Sequence, residues 1–583
     1  MTAKTIRHAV LTAVAVTMAV TVAATATAAA APAPAPDPDA APTLRFGHVR
    51  IVTRPIFSTQ EVTTAQGPVR LMRRLMNGLH TDTRERVIRR ELLFVRGQRY
   101  EPGLLEETAR NLRTLGFLND VDVVAVDTTA QGTVDVLVTT RESWTLSTSV
   151  GYSLASGGEQ RWNLKLAESN FLGYGVTVGA GAGADEDRSW WNVWYRKRRL
   201  FGRALWFGAD WSETGDGHAR QLFLSRPLFA LDDARGLDAV VWDKESRPRW
   251  YLSHAGPAGL DPAATGSLYA RLPWRERGAE LQGVWRATRR GAPRIWRVGG
   301  GVRVTDTDRQ VGAIDELADG RGADLGWLAV AGGPLTRETG VRVFPFAWLQ
   351  TVGRRWTEAR FVLQYGPVED VPLDGSLDLK VGPAGGAVGS TAADGAGALR
   401  VEGAAQQWLQ VGRSFGLLRL EGQAQAGPDA VRTHRVQALG AWLAQAGGAD
   451  APWLTRLFVE AAHGSALAGD QALVLGLDRG LRTLEFDGMA GDRLLRWNLE
   501  QGKVTPWEVL GLARLGAAVS YAGGCAWWRD ETRGLADARH EAGFGLRLGP
   551  TRSANTQVTR IDVTWSLDGT EGPVLTAVTR GLF

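Results

Sequence analysis

Cysteine is almost absent: Cys525 is the only one in 583 residues. That excludes an intramolecular disulfide and any cysteine-rich metal centre. It is compatible with an oxidising compartment without requiring one. Catalytic signatures are missing too. The eight histidines (His8, His48, His80, His218, His254, His434, His463, His540) are scattered, with no H-E-x-x-H or paired spacing, and no P-loop or G-x-S-x-G occurs. Beyond Trp144 there is almost no sustained helical periodicity, and no apolar run there could cross a bilayer as a helix. The formal charge of +5 is small for this length. No basic run is interleaved with stacking aromatics, so a nucleic-acid partner is not expected.

Glycine and tryptophan are plentiful. There are 71 Gly, and 23 Trp beside only 8 Tyr and 17 Phe. Such a composition suits a β protein with many turns and an aromatic layer. A large soluble propeller and a membrane barrel with aromatic rims both fit. Short alternating segments then run to the end of the chain, among them Trp162-Leu164-Leu166, Val176-Val178-Ala180, Trp190-Val193-Tyr195, Leu281-Gly283-Trp285 and Ile561-Val563-Trp565. Alternating strands of about ten residues with polar partners are the sequence signature of a transmembrane barrel. At about 25–30 residues per strand and connection, residues 143–583 would supply about sixteen strands.

The N-terminus reads as an address. Lys4, Arg7 and His8 precede an Ala-, Val- and Thr-rich run that ends among small residues. Residues 1–30 are therefore expected to be a cleaved signal peptide, an uncleaved anchor being the alternative. The segment APAPAPDPDAAP marks residues 31–43 as a stiff extended spacer. Residues 44–142 form a small α/β module. A strand at Val49 to Val52 is followed by a helix from about Thr83 that Gly97 is placed to end. Pro102 opens a second helix capped by Gly116, and strands Val121–Val126 and Val134–Val138 close a hairpin over Ala130-Gln131-Gly132.

Leu112-Arg113-Thr114-Leu115-Gly116-Phe117-Leu118, followed by Val121-Asp122-Val123, resembles the polypeptide-transport-associated repeat, POTRA, that precedes BamA-like barrels. Three further stretches resemble the same BamA/TamA-like superfamily. Glu168 to Gly175, with Asn170-Phe171-Leu172-Gly173, is similar to the turn between early barrel strands. Gly543-Phe544-Gly545-Leu546-Arg547-Leu548 resembles a late strand. Leu575, Ala577, Thr579 and Gly581, at two-residue spacing before the terminal Phe583, resemble the assembly signal of outer-membrane barrels.

The resemblance implies a mainly β fold: a C-terminal transmembrane antiparallel β-barrel preceded by one small α/β POTRA-like domain in the periplasm. It implies an outer-membrane protein that inserts or translocates client polypeptides by strand pairing, with lipid and periplasmic or lipoprotein partners and no cofactor or covalent chemistry. A passive pore or structural barrel is one alternative. A barrel-embedded hydrolase built on His463-Gly464-Ser465 is another, although that tripeptide reads first as a turn. Gly179 to Ala184 fits a loose dinucleotide motif, but no βαβ unit follows, so it reads as a glycine-rich strand end. Asp232-Asp233 and Asp185-Glu186-Asp187 could bind calcium, and read first as solvated acidic turns.

One stretch bears on mechanism. Leu477 to Glu500 resembles the inward-folded loop of these barrels and the strand after it. The family carries an apolar residue, Arg-Gly and an aromatic there, and this chain has Leu481, Arg482, Thr483 and Leu484. The resemblance implies an acidic barrel residue for the arginine, in an aspartate–alanine–glycine pattern. The matching place reads Tyr521-Ala522-Gly523. Arg482 is thus expected to stack on Tyr521 or to turn to Glu485, Asp487 or Asp492 within its own loop.

Overall fold

The computed structural model describes residues 44–154, 160–185, 187–251, 269–309, 338–384, 398–426, 431–465, 467, 471–477, 479–484, 488–529, 532–569 and 572–580. The signal and spacer segments, Glu485, Asp487 and Phe583 lie outside them.

The N-terminal domain begins with strand β1 (Arg45–Arg54). Helices α1 (Thr59–Thr64), α2 (Gly67–Leu79), α3 (Glu85–Glu91) and α4 (Gly103–Arg113) follow, then strands β2 (Leu118–Thr128) and β3 (Thr133–Glu142). β3 runs between β1, which it pairs in parallel, and β2, which it pairs antiparallel. Phe46, Ile88, Phe94, Leu105, Leu112, Phe117, Val136 and Val138 close the core between sheet and helices. Two features depart from the expected module. α1 and α2 are additional: Ser58 caps α1 with a reciprocal bond to Glu61, and Pro68 opens α2. α3 ends at Glu91, well before Gly97, because Thr108 and Asn111 of α4 bind the chain there.

From Leu146 the chain forms twenty antiparallel strands that close on themselves. The count exceeds the sixteen expected because most connections between barrel strands, on both sides, are short, so each strand uses less chain than the estimate allowed. Closure leaves no edge in the bilayer, where water cannot satisfy backbone groups. Outward positions carry Leu164, Leu166, Val193, Leu222, Leu418, Leu420, Val519 and Leu546, all exposed. Trp206, Trp285, Trp296 and Trp453 stand toward the domain end of their strands, and Trp162, Trp191, Trp211 and Trp565 toward the other. This gives the two aromatic girdles of a membrane barrel. The first strand, Leu146–Leu154, meets the last, Val574–Arg580, through only four residue pairs, Gly151↔Val578 to Leu154↔Leu575. Among the described residues no other barrel neighbours share so few; the next smallest ladder, between Glu338–Gly353 and Ser376–Ala384, has five.

Several local expectations change. Gly179 to Ala184 belongs to strand Val176–Ala184, which pairs with Ser189–Lys197. His463-Gly464-Ser465 ends strand Pro452–Ser465 and is not a turn, and the His463 ring lies 5.2 Å from that of His434. Asp232 is held by Arg286 (3.0 Å) and Arg354 (2.6 Å), and Asp187 by Arg249 (2.9 Å). These acids act as counter-ions. Among the described residues no group of acids, histidines or cysteines could hold a metal.

Candidate functional site

The candidate site has three parts: the joint to the N-terminal domain, the inward loop within residues 466–492 and a hairpin at residues 354–375.

The joint is built around Glu142 at the end of β3. Its carboxylate accepts the Thr83 backbone N–H and hydroxyl, each at 2.8 Å, and lies 3.1 Å from His80 Nε2. The Thr83 hydroxyl also accepts Asn170 Nδ2, while Asn170 Oδ1 accepts the N–H of Gly175. The Asn170-to-Gly175 turn thus joins the two parts. Gly173 and Gly175 have φ of 73° and 60°, and a Cβ at Gly173 would lie 2.4 Å from the Asp82 carbonyl. Only glycine combines that backbone with that approach. Arg199 forms a bidentate pair with Glu91 nearby (2.9 and 2.8 Å).

The inward loop carries a short ladder, Leu473–Leu475 against Met489–Gly491. Leu473, Leu475, Leu481 and Met489 pack on Ala462, Leu494, Ala522, Cys525 and Ala526 of the barrel wall. Gly480, with φ of 128°, makes the turn, so the loop glycine precedes the arginine here. Arg482, nearly buried, then reaches Asp562 on strand Val558–Ser566 at 3.3 Å. The Thr483 N–H and hydroxyl bind Glu541 at 3.0 and 3.2 Å. Asp562 also receives Arg547 (2.6 Å), which is fully buried and binds Glu500 (2.7 Å); Glu500 faces Arg456 at 3.3 Å. Arg482 therefore enters a buried ladder of alternating charges drawn from four barrel strands. Paired and hydrogen-bonded in this way, the charges withstand burial that would be prohibitive singly.

This corrects the expected arginine partner. Tyr521 is exposed on the outer wall, where its hydroxyl lies 2.8 Å from His540 Nδ1. Strand alternation is the reason: buried Ala522 faces the loop, so its neighbour must face outward. Asp492 stands at the loop's return, its N–H donating to Trp527 and its carbonyl accepting from Gly464. Leu575 faces outward, while its neighbour Val574 is buried against Leu477 of the loop. Asp562, Glu541, Glu500 and Arg547 were missed as site residues. Their signal is a charge between apolar neighbours on a strand, as in Ile561-Asp562-Val563 and Leu546-Arg547-Leu548.

The hairpin comes from the domain side, between barrel strands Glu338–Gly353 and Ser376–Ala384. Trp356–Ala359 pairs with Glu369–Pro372, and the tip turns into the barrel. Tyr365 is fully buried against Leu454, Val504 and Val558, and a Cβ at Gly549 would lie 2.0 Å from that of Tyr365. Glu369 accepts the N–H groups of Val362 (2.9 Å), Leu363 (2.7 Å) and Gln364 (3.2 Å). Burial nonetheless pushes its carboxyl up to about 7, against the lowering by those three N–H groups. Arg113 of α4 clamps the base through Asp370 (2.6 and 2.8 Å) and Glu358 (2.9 Å). Arg456 lies 5.3 Å from the Tyr365 ring, so contacts run unbroken from α4 through hairpin and charge ladder to the inward loop.

Residues 76–143 match the family model for POTRA, the surface antigen variable number repeat. A POTRA domain leads directly into a closed antiparallel barrel. No curated protein matches the chain. Among solved structures it is similar to BamA from Haemophilus ducreyi lacking POTRA domains 1–3, at 13% identity over 92% of this chain and 84% of that one, with a TM-score of 0.39. CdiB from Acinetobacter baumannii is 12% identical over 92% and 73%, and CdiB from Escherichia coli 12% over 92% and 76%, each with a TM-score of 0.42. Likenesses this distant carry nothing about what this chain acts on.

Proposed function

We propose that the chain is a BamA/TamA-like barrel that resides in the outer membrane with its POTRA domain in the periplasm, and that it inserts or translocates client polypeptides there. The observation that carries the reading is the four-pair seam between first and last strands. A short ladder costs least to open, and the strand edges it exposes are templates for a client strand. The inward loop braces that region: Leu477 packs on Val574 of the last strand, and Arg482 binds Asp562 on the strand beside it. The POTRA sheet ends in β1 and β2, either of which could receive an extended segment before it reaches the seam. No cofactor or covalent step enters this reading.

A passive pore is the second reading. It is favoured by a polar cavity of about 570 Å³ on the opposite wall, lined by Arg303, Lys380, Arg400, Glu402 and Arg435. A seam disulfide separates the two. In a Cys525→Ser background, Tyr152→Cys and Ala577→Cys face each other across the ladder. Oxidation is expected to stop folding of an added unfolded eight-stranded barrel into proteoliposomes, with recovery on reduction and unchanged conductance. Undiminished folding in the oxidised state sinks the insertion proposal and leaves the pore.

A further inference from the structure

α2 is apolar over a wide arc, and the described residues cover only part of it. Met72 and Met76 pack on Ile56, Phe57, Trp144 and Leu512. Leu71, Leu75 and Leu79, four residues apart and therefore in line along the helix, are 60%, 47% and 73% exposed. The polar flank carries Arg70, Arg73 and Arg74, and GPVRLMRRLMNGL has no acidic residue. A basic flank beside an exposed leucine stripe is the pattern of a helix lying in a lipid interface.

The position of α2 in the molecule agrees with that pattern. Its buried side rests on the barrel turn at Leu510 to Leu512, where the Arg73 guanidinium closes on Gly511. That turn follows Trp507 and Val509, both exposed, at the POTRA-side end of a membrane strand. Two other POTRA-side turns are built alike. Leu172, Phe201 and Leu510 have φ of 53°, 51° and 54°, each followed by a glycine. Bulky residues avoid this left-handed backbone. Here it holds exposed apolar tips along the rim, Phe201 being 86% exposed. The rim marks the depth of the inner-leaflet headgroups, and α2 touches it.

We propose that the Leu71–Leu75–Leu79 face of α2 docks into the inner leaflet of the membrane that the barrel spans, with Arg70 and Arg74 on anionic phospholipid headgroups. The exposed leucines then continue the apolar belt beyond the barrel wall. Docking pins the POTRA domain against the bilayer beside the turns of the late strands.

The test uses the full chain in proteoliposomes, with Cys525→Ser and a single fluorescent NBD label on Leu75→Cys. Val126→Cys, on the exposed part of β2, is the aqueous control. Heat-modifiable migration in detergent gels verifies that each variant holds a folded barrel. In phosphatidylethanolamine–phosphatidylglycerol vesicles, the Leu75 label is expected to emit to the blue of the control. Headgroup-proximal doxyl lipid should quench it, and iodide should quench it at least threefold less than the control. Arg70→Glu with Arg74→Glu should cut the doxyl quenching at least twofold, as should neutral phosphatidylcholine. Iodide quenching equal to the control overturns the proposal, as does shielding that appears only when a second protein is added. Shielding undiminished in neutral lipid overturns the headgroup assignment.

Discussion

Two segments fold into this barrel from opposite ends, and they are held by different physics. The inward loop is tied by fixed charge: Arg482 on Asp562, with Arg547, Glu500 and Arg456 behind it. The hairpin is tied by a buried ring, Tyr365, and by Glu369, whose charge depends on pH. Arginine stays protonated throughout the physiological range, so the cations of the loop's hold do not titrate there. Glu369 of the hairpin does. The contrast is between a permanent brace beside the seam and a pH-dependent closure at the domain-side mouth of the barrel.

The largest effect is expected from breaking the brace at its centre. Arg547→Met leaves Glu500 and Asp562 buried without their shared cation, at a cost of roughly 3–5 kcal/mol. In urea titrations followed by heat-modifiable migration, the variant should unfold at clearly lower denaturant. An unchanged midpoint would show that the ladder contributes nothing net.

Next comes the pH response of the hairpin. The Glu369 carboxyl is raised from 4.5 to about 7 in the folded chain. Its contribution to docking is therefore complete below about 4.5 and is lost as pH rises through about 7, by up to roughly 3 kcal/mol. Hydrogen exchange over residues 356–372, corrected for intrinsic rates, should accelerate between about pH 5 and 7 and level off above that. Glu369→Gln should remove that acceleration. Exchange over the ladder residues of the inward loop should show no such step, and a matching step there would erase the contrast.

Arg482→Ala is expected to cost less than the Arg547 change, about 2 kcal/mol, because the loop keeps its apolar packing and the Thr483–Glu541 bonds. The barrel should stay folded, with the loop more open to protease and with client insertion reduced. Insertion at the native rate would instead favour the passive pore. Smallest is Arg113→Ala. The Arg113–Asp370 pair is partly exposed, so about 1 kcal/mol is expected. It should appear as faster hairpin exchange at every pH, without moving the midpoint of the pH step.

The sequence determined whatever depends on neighbours along the chain. Two-residue alternation identifies strands wherever one face meets lipid, and the Trp positions mark the rims. Gly116 and Gly132, with φ of 74° each, show where the POTRA helix and hairpin must turn. Arg482 was legible as the loop's charged residue. The addition of α1 and α2 was not, since a Met-and-Leu helix whose apolar arc is only half covered gives no clear core face. Strand number, the partner of Arg482 and the burial of Tyr365 belong to the tertiary structure alone. A strand's pattern says which side chains share a face, but not which strand from elsewhere in the chain lies opposite. Closure of twenty strands brought Asp562 to the loop arginine and turned Tyr521 to the outer wall.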